Sequence, residues 1–430
     1  MKIFIILIIF FLKPSFLLAE NNLLFYIESA FKNNPKLNAE RENLKASKED
    51  INISRSEFFP SVTISQDQTS SVSTNKTNQS GETLADSNTD AENKSISIDQ
   101  KIFQGFQGYN SLKKSKLELE KANFKLRDIE QETILNAVST YYDLVFSTKN
   151  ENFNIDNVDL FERQVEFDNA RLQKGEISLT DLAQSESSLA SASAKLISAK
   201  TKLLTTKTNF ERITRENTPN QLDSNFTISL DLPLDLKSAL EISYANNPKL
   251  MTAKLNMYIS EKELNIEKSK LSPTASLNYS KSESKDYSAT IDDNEQETVK
   301  ATISWPIIKG GKNYSSIKKY AYKKKQSKLL YKDAENEVKT FTANAWSVYQ
   351  SSESILIARK AQLKAAEIAN EGITLEYDSG NTRTTLEVIQ SRSLLLDSRI
   401  AYAEAEKNFI ISKFTLLAQL GNLSLNSLKG

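Results

Sequence analysis

The sequence predicts a mostly α-helical protein with a small β part, in which one structural plan is used twice. The pentapeptide NNPKL stands at residues 33–37 and again at residues 246–250. Residues 109–174 contain neither glycine nor proline, and a continuous helix of that length would be about 100 Å long. Short segments of alternating apolar and polar residues, which are typical of β-strands, precede this stretch and its counterpart in the second half.

The first 19 residues predict a secretory signal peptide. They begin with Lys2, continue with an apolar run over residues 3–12, and end near Ala19, a small residue suited to cleavage. The run is shorter than the ~18 residues of a membrane-spanning helix, which disfavours the alternative of a retained anchor. We therefore expect residues 1–19 to be removed from the exported chain.

Composition argues against catalysis and against nucleic-acid binding. Lysine plus arginine and aspartate plus glutamate both number 55, so there is no basic excess of the kind that binds nucleic acid. The chain has no cysteine and no histidine, which excludes thiol nucleophiles, disulfides, Cys/His metal sites and a lipid anchor on an N-terminal cysteine. No spacing of carboxylates singles out a catalytic pair. We therefore predict that the protein is not an enzyme and carries no cofactor.

The internal duplication extends far beyond the pentapeptide. An offset of 213 residues also aligns Pro60 with Pro273, and an offset of 205, reached after a shorter loop in the second copy, aligns Gly175 with Gly380. The duplication predicts a division of the chain into a signal peptide (1–19), a first repeat (20–215), a linker (216–235), a second repeat (236–420) and a C-terminal tail (421–430).

Each copy has the same predicted order of elements. A short helix leads to NNPKL, where Asn34 and Asn247 are predicted N-caps and Pro35 and Pro248 the first residues of the next helix. Two strands, a very long helix and a returning helix follow. The predicted ranges are 37–58, 61–69, 94–103, 107–173 and 178–214 in the first copy, and 250–271, 274–283, 297–305, 312–378 and 385–420 in the second.

The returning helix of each copy carries a seven-residue repeat. In the first copy the large residues recur with small ones three positions further on, and the second copy repeats the stripe. This pattern favours close coiled-coil packing over an ordinary amphipathic core helix. The two shorter helices of a copy, placed end to end, nearly match the long one, which predicts four rods per chain. The large residues of the first stripe are Leu182, Leu189, Leu196, Leu203 and Phe210.

The strands pose a closure problem. Their length fits a membrane β-strand, but single-chain bacterial barrels have at least eight strands and this chain supplies four. An open sheet in lipid would leave its edges unsatisfied at several kcal/mol per group. The chain must therefore either remain outside the membrane, as a coiled-coil protein with a hairpin domain, or share a barrel among copies of itself. Residues 70–93, rich in Ser, Thr and Asn, are predicted to form a flexible loop.

Taken together, the paired NP-x-L openings, the prolines before the strands, and the glycine turns followed by TDLAQS (180–185) and LEVIQS (386–391) resemble the TolC family of outer-membrane efflux proteins. The resemblance covers the full mature chain. It implies a homotrimer with a shared β-barrel of 12 strands in outer-membrane lipid, an α-helical periplasmic tunnel, and an equatorial belt that includes the linker and the tail.

The resemblance also implies a function and partners. The trimer would be the outer-membrane channel of a tripartite efflux or type I secretion system in a Gram-negative bacterium. It would join a periplasmic adaptor protein and an inner-membrane transporter, and act as a passive exit duct for small molecules or proteins. The alternative is a soluble periplasmic or surface coiled-coil interaction protein without channel activity.

A periplasmic gate at the helix tips is a further implication of the resemblance. In the family pattern, a tyrosine and an arginine of the second repeat bond to a Thr-Asp pair at the first-repeat turn. Tyr377 and Arg383 match the first two, and Thr180 and Asp181 match the pair. Bonds from Arg383 and Tyr377 to the carboxylate of Asp181 are therefore expected.

The resemblance assigns four more residues to the tips. The acidic ring positions of the gate fall on Glu387 and Gln390, and the neutral Gln390 predicts weaker cation selectivity than two acidic rings would give. Gly175 and Gly380 mark the helix-tip turns, where an adaptor would dock. Asn381 is an apparent insertion in the second turn.

Overall fold

The computed structural model describes residues 23–219, 222, 230–288, 291–379 and 383–428. The predicted signal peptide and much of the linker lie outside these ranges. The first copy contains α1 (Leu23–Asn33), α2 (Pro35–Ser56), β1 (Ser61–Ser73), β2 (Ser87–Phe103), α3 (Gln107–Gln173) and α4 (Leu179–Thr214). The second contains α5 (Leu236–Asn246), α6 (Pro248–Ser269), β3 (Thr274–Ser288), β4 (Ile291–Ser304), α7 (Lys312–Asp378) and α8 (Thr385–Leu420).

The duplicated, mostly helical fold class is confirmed. The long helices α3 and α7 both have 67 residues, which makes each about 100 Å long. The returning helices α4 and α8 both have 36. Within the described ranges, no helix combines the length and hydropathy needed to cross a membrane.

NNPKL forms a joint between two helices in both copies. The side chain of Asn34 accepts hydrogen bonds from the backbone N–H groups of Lys36 and Leu37, and Pro35 takes the first helical position. Asn247 caps α6 in the same way. Asn247 is also buried, and its Nδ2 donates to the carbonyl of Gln419 at 2.9 Å, so the second joint is tied to the end of α8.

Gly421 completes the second joint. It ends α8 at a φ of +78°, and a Cβ at this position would lie 2.3 Å from the carbonyl oxygen of Asn246. Only glycine tolerates both the left-handed backbone and the close approach. The tail beyond it then packs inward, with Leu423 and Leu428 buried in the main core.

That core lies where both copies meet. It combines aromatic and aliphatic side chains from α1, α3, α4, α5, α7 and α8. Tyr141 and Phe210 are among its largest fully buried members, and Trp346 lies at the position in α7 that corresponds to Tyr141. Burial of this cluster fixes the four rods at one level of the molecule, with long coiled coils extending away from it.

The coiled-coil packing uses small polar side chains at matching places. Ser147 of α3 and Thr206 of α4 lie 3.2 Å apart through their hydroxyl oxygens, and Ser352 of α7 and Ser412 of α8 lie 2.9 Å apart. Both pairs are buried and equivalent by the duplication. Small hydroxyl residues let the helices approach closely while satisfying each other, as the large–small alternation predicted.

The four strands form one antiparallel sheet in the order β1-β2-β3-β4. One row across it reads Val62, Ile98, Tyr279 and Val299. The adjacent row, which faces the opposite side, reads Thr63, Ser97, Ser280 and Thr298. These rows give the sheet one apolar and one polar face at the end that joins the helices, and β1 and β4 are edge strands in the described chain.

The flexible loop predicted for residues 70–93 was wrong in extent. β1 continues to Ser73 and β2 begins at Ser87. The polar residues there pair across the hairpin, for example Ser71 with Thr89 through their hydroxyl oxygens at 2.8 Å. Such strands are polar on both faces, so they lack the alternation by which a strand is recognised in sequence.

We expect alanine substitutions of the two N-caps, Asn34 and Asn247, to lower the free energy of unfolding by different amounts. Asn34→Ala removes one half-buried cap and should lower the free energy of unfolding by about 1 kcal/mol. Asn247→Ala should cost more, because it also removes a buried hydrogen bond to the carbonyl of Gln419, which then keeps only the Ser243 hydroxyl as a donor. Denaturant titration of both variants, with Asn247→Asp as the control that keeps the cap acceptor and removes the donor, checks the difference. Equal costs for both alanine variants would contradict it.

Candidate functional site

The helix tips farthest from the sheet hold the predicted gate residues. At the first tip, α3 ends in a Schellman turn: Glu176 N–H donates to the carbonyl of Arg171 and Gly175 N–H to that of Leu172. Gly175 has a φ of +74° and lies in the tip turn, as predicted. Gly380 and Asn381 of the second tip lie outside the described residues.

A buried carboxylate joins the two copies at this end. Asp168 of α3 is fully buried, and its Oδ1 accepts hydrogen bonds from the hydroxyl of Tyr377 at 2.7 Å and from Gln164 Nε2 at 2.9 Å. Ser185 of α4 donates to the other oxygen. Three donors from α3, α4 and α7 thus converge on one carboxylate. Because an unpaired buried charge is strongly destabilising, each donor holds its helix to this point.

Tyr377 is the link from the second copy. It is buried, and its hydroxyl lies 3.0 Å from Thr385 Oγ1 at the start of α8. Burial raises the pKa of Tyr377 above its usual value. The guanidinium of Arg171 lies 5.0 Å from the Tyr377 ring centroid, and its Nε donates to Glu176 at 3.1 Å. We call Asp168 with its three donors, Gln164, Ser185 and Tyr377, the Asp168 latch. A cation–π contact and an ion pair therefore cover this latch from the first tip.

Arg383 bridges the two sides of the second tip. Its Nε donates to Glu376 of α7 at 2.6 Å, and its Nη1 donates to Glu387 of α8 at 3.0 Å. Glu387 forms a capping box with Thr384, whose backbone N–H donates to it at 2.8 Å. The Thr384 N–H and the arginine lower the pKa of Glu387.

The expected bonds from Tyr377 and Arg383 to Asp181 do not form within the described residues of a single chain, and they stay a prediction for the assembled trimer. Ser178 donates to Asp181 through both its backbone N–H, at 3.0 Å, and its hydroxyl, at 2.7 Å, and these bonds lower the pKa of Asp181. This capping box occupies the carboxylate. Tyr377 donates to Asp168 instead, and Arg383 donates to Glu376 and Glu387 at its own tip.

The other predicted residues lie at exposed positions. Thr180 and Gln390 are exposed near the starts of α4 and α8. No group of acidic side chains in the described ranges is arranged to hold a metal ion. Within the described ranges, Arg383 is thus joined to Glu387 at the second tip, and no hydrogen bond or ion pair joins Thr180, Asp181 or Gln390 to either of them.

Sequence reasoning missed Asp168. The buried positions of α3 near the tip are Asn157, Phe161, Gln164 and Asp168, spaced by four, three and four residues. A heptad extended through this stretch would have placed a carboxylate on the core stripe. The duplication offers a second signal, because Ile373 occupies the matching position in α7.

The sequence matches a known family. The sequence model described as "Outer membrane efflux protein" matches residues 26–216 and 239–422. Since these ranges cover most of the chain, the protein belongs to the outer membrane efflux protein family. The resemblance to the TolC family and the predicted outer-membrane location are both confirmed.

Two relatives match along almost the whole chain. Outer membrane efflux protein BepC of Brucella suis biovar 1 (strain 1330) is 24% identical over 404 residues, which cover 93% of this chain and 85% of BepC. Outer membrane protein TolC of Escherichia coli (strain K12) is 22% identical over 421 residues, which cover 94% of this chain and 83% of TolC.

The fold matches solved channels. The Campylobacter jejuni CmeC outer membrane channel has a TM-score of 0.83 at 15% identity, covering 94% of this chain and 86% of CmeC. The open state of the Neisseria gonorrhoeae MtrE outer membrane channel has a TM-score of 0.77 at 15% identity, covering 94% of this chain and 90% of MtrE. The common fold is the long helical duplication with its four-stranded sheet.

The latch predicts a local effect of Tyr377→Phe. Loss of a hydrogen bond to a charged acceptor should lower the opening free energy at the end of α7 by about 1.5–3 kcal/mol. Hydrogen exchange measures this opening. Tyr402→Phe is the matched control, because the Tyr402 hydroxyl also lies near a carboxylate, that of Glu406, which raises the pKa of Tyr402 to about 12. An unchanged rate of hydrogen exchange at the tip in Tyr377→Phe would contradict a stabilising role of the latch.

Acid should loosen the cap at the first tip. Because the pKa of Asp181 is lowered in the folded protein, its cap is intact above the ordinary carboxylate pKa and is lost as the pH falls through the lowered value. Hydrogen exchange at the start of α4, corrected for intrinsic rates, should therefore rise in acid. Asp181→Asn should flatten this dependence while the second tip, capped by Glu387, keeps it. An unchanged pH profile in Asp181→Asn would contradict the cap.

Proposed function

We propose that three copies of this chain form a passive exit duct through the outer membrane, gated at the helix tips. The observation that carries the proposal is a four-stranded sheet with one apolar face, one polar face and two unpaired edges. An apolar face suits lipid, and a polar face suits a water-filled interior. The edges require strands from other copies.

The number of copies follows from the width that a duct needs. Two copies would give eight strands, and the interior of an eight-stranded barrel is just wide enough for side chains to fill. Three copies give twelve strands and leave an open lumen. Twelve helical rods would continue the same wall into the periplasm, since each chain supplies four.

The strands are long enough to pass through the membrane and beyond it. They have 13 to 17 residues, against about 9–11 for a membrane-spanning strand. One row above Val62 the same face carries Ile64, Ile96, Lys281 and Glu297, and the next row carries Gln66, Lys94, Glu283 and Glu295. We place these charged rows outside the lipid, as the rim of the duct on the cell surface.

The tips supply the gate. Closure rests on the Asp168 latch, which joins the helices of the two repeats, and on the Arg383 bridge at the second tip. We propose that a periplasmic adaptor docks on the tips and couples the duct to an inner-membrane transporter of an efflux or type I secretion system. Cargo then leaves without any reaction. A soluble interaction protein would not need the two-faced sheet.

Conductance tests the duct. Purified protein added to a planar lipid bilayer should produce discrete, uniform current steps, because each trimer opens one pore. Asn34→Ala, a change outside both barrel and tip, is the control preparation. Insertion without current, or current only from denatured protein, would overturn the proposed function.

Arg383→Ser should raise the single-channel conductance. The change frees the end of α7 from the start of α8 and leaves Glu376 and Glu387 uncompensated. Since the two ion pairs hold the sides of the tip together, their loss should widen the constriction and raise the conductance. Arg359→Ser is the matched control, because Arg359 is exposed and its Nη1 donates only to Gln362 of the same helix. Equal conductance in both variants would show that Arg383 does not hold the gate closed.

A further inference from the structure

A run of lysines begins just after the last strand. Residues 309–332 contain nine lysines and no acidic residue, in a chain whose charges balance overall. The run starts five residues beyond the end of β4 at Ser304 and occupies the first turns of α7. Except for Lys324, all nine lysines are exposed. The junction between sheet and tunnel is therefore strongly positive on this helix.

The duplication shows that the fold does not require this charge. The matching residues 104–127 of the first copy carry six basic and two acidic residues. Gln104 and Gln107 stand where the second copy has Lys309 and Lys312. Both copies form the same long helix, so the added lysines serve something other than helix formation.

Carboxylates of the chain itself do not neutralise the run. Within the described ranges, Lys324 alone among the nine lies within ion-pair distance of one, with its Nζ 3.5 Å from Glu261. An uncompensated row of ammonium groups attracts anions. Apart from Lys324 and from Lys319, whose charge helps to lower the pKa of the nearby Glu267, the run therefore favours an anionic partner from outside the chain.

The segment before the run has the character of a membrane interface. Trp305, Ile307 and Ile308 are exposed, and the Trp305 indole donates to the carbonyl of Leu271 at 3.0 Å. Aromatic and aliphatic residues followed by lysine mark the boundary between hydrocarbon and headgroups. The apolar face of β4 thus leads directly into the lysine run.

We propose that Lys309, Lys312, Lys318 and Lys319 bind the phosphate groups of anionic phospholipids in the periplasmic leaflet. The proposal rests on the proposed placement of the sheet in the membrane. Lys319 lies about 10 Å along α7 from Lys312, which is about one Debye length at physiological salt. The lysines from 323 onward lie farther away and are screened from a flat membrane surface.

The two tryptophans provide the measurement. Trp305 is exposed at the proposed site, whereas Trp346 is buried about 50 Å further along α7. The full-length protein is reconstituted into vesicles that contain brominated phosphatidylglycerol or brominated phosphatidylcholine, and quenching of tryptophan fluorescence reports which lipid contacts Trp305. Trp346 remains out of reach as an internal reference.

The wild-type protein should bind brominated phosphatidylglycerol roughly fivefold more strongly than phosphatidylcholine, and the preference should fall with added salt. The variant with Lys309, Lys312, Lys318 and Lys319 all changed to Gln should lose the preference. A control variant removes the same amount of charge from the screened part of the run and should keep it; its changes are Lys323→Gln, Lys325→Gln, Lys328→Gln and Lys332→Gln.

Three outcomes would overturn the proposal. Equal quenching by both lipids in the wild type would show that Trp305 contacts lipid without selecting anions, which leaves the proposed function intact. A preference that persists in the four-lysine variant would assign it to other residues. A wild-type protein without lipid preference, together with a changed ion selectivity of the channel in the four-lysine variant, would place the lysines in the lumen. Absence of quenching by either lipid would instead contradict the membrane placement, and with it the proposed function.

Discussion

The unpaired edges of β1 and β4 are the constraint on which the rest of the structure depends. Each edge presents backbone N–H and C=O groups that lipid cannot satisfy. The sheet is apolar on one face, so it belongs in lipid, yet it is too small to close. A chain with this sheet is complete only beside other copies, and the helical rods below must then follow the same circular arrangement.

The duplication gives both copies the same helix packing, whereas the features that we propose to be functional differ between the copies. Ser147–Thr206 and Ser352–Ser412 keep the same close packing in both helix pairs. Asp168 has no counterpart in the second copy, where Ile373 stands, and it fastens α7 to the first coiled coil. The acid-free run of nine lysines at the start of α7 likewise has no full counterpart in the first copy, where six basic residues are mixed with two acidic ones. In the proposed duct, these two asymmetric features lie at opposite ends of the helical wall, one at the tips and the other at the membrane.

Much of the fold could be predicted because glycine and proline, the residues that end helices, are scarce in this chain. Glycine and proline are absent from the long helices except Gly108 and Gly372, so the ends of α3 and α7 stand out, and NNPKL marks both caps. The outer parts of the strands could not be predicted, because a strand that is polar on both faces has the composition of a loop.

The site was harder to predict than the fold. Thr180, Asp181, Tyr377 and Arg383 were correctly placed near the tips, but the partners of Asp181 and Arg383 depend on the nearest competing group. Ser178 reaches Asp181 from within the same turn, and Glu376 reaches Arg383. Bonds between residues close in sequence compete with bonds between distant ones, and a sequence alone does not rank them.

Covalent trapping of the shared barrel tests the central claim most directly. The chain has no cysteine, so a pair placed on the two edges reports only that contact. Thr63→Cys on β1 is combined in turn with Thr298→Cys, Lys300→Cys or Thr302→Cys on β4, which lie on the same face of the sheet. The shared barrel predicts that at least one pair yields a closed covalent trimer on a non-reducing gel. Only monomers, or an open ladder of larger species, would contradict it.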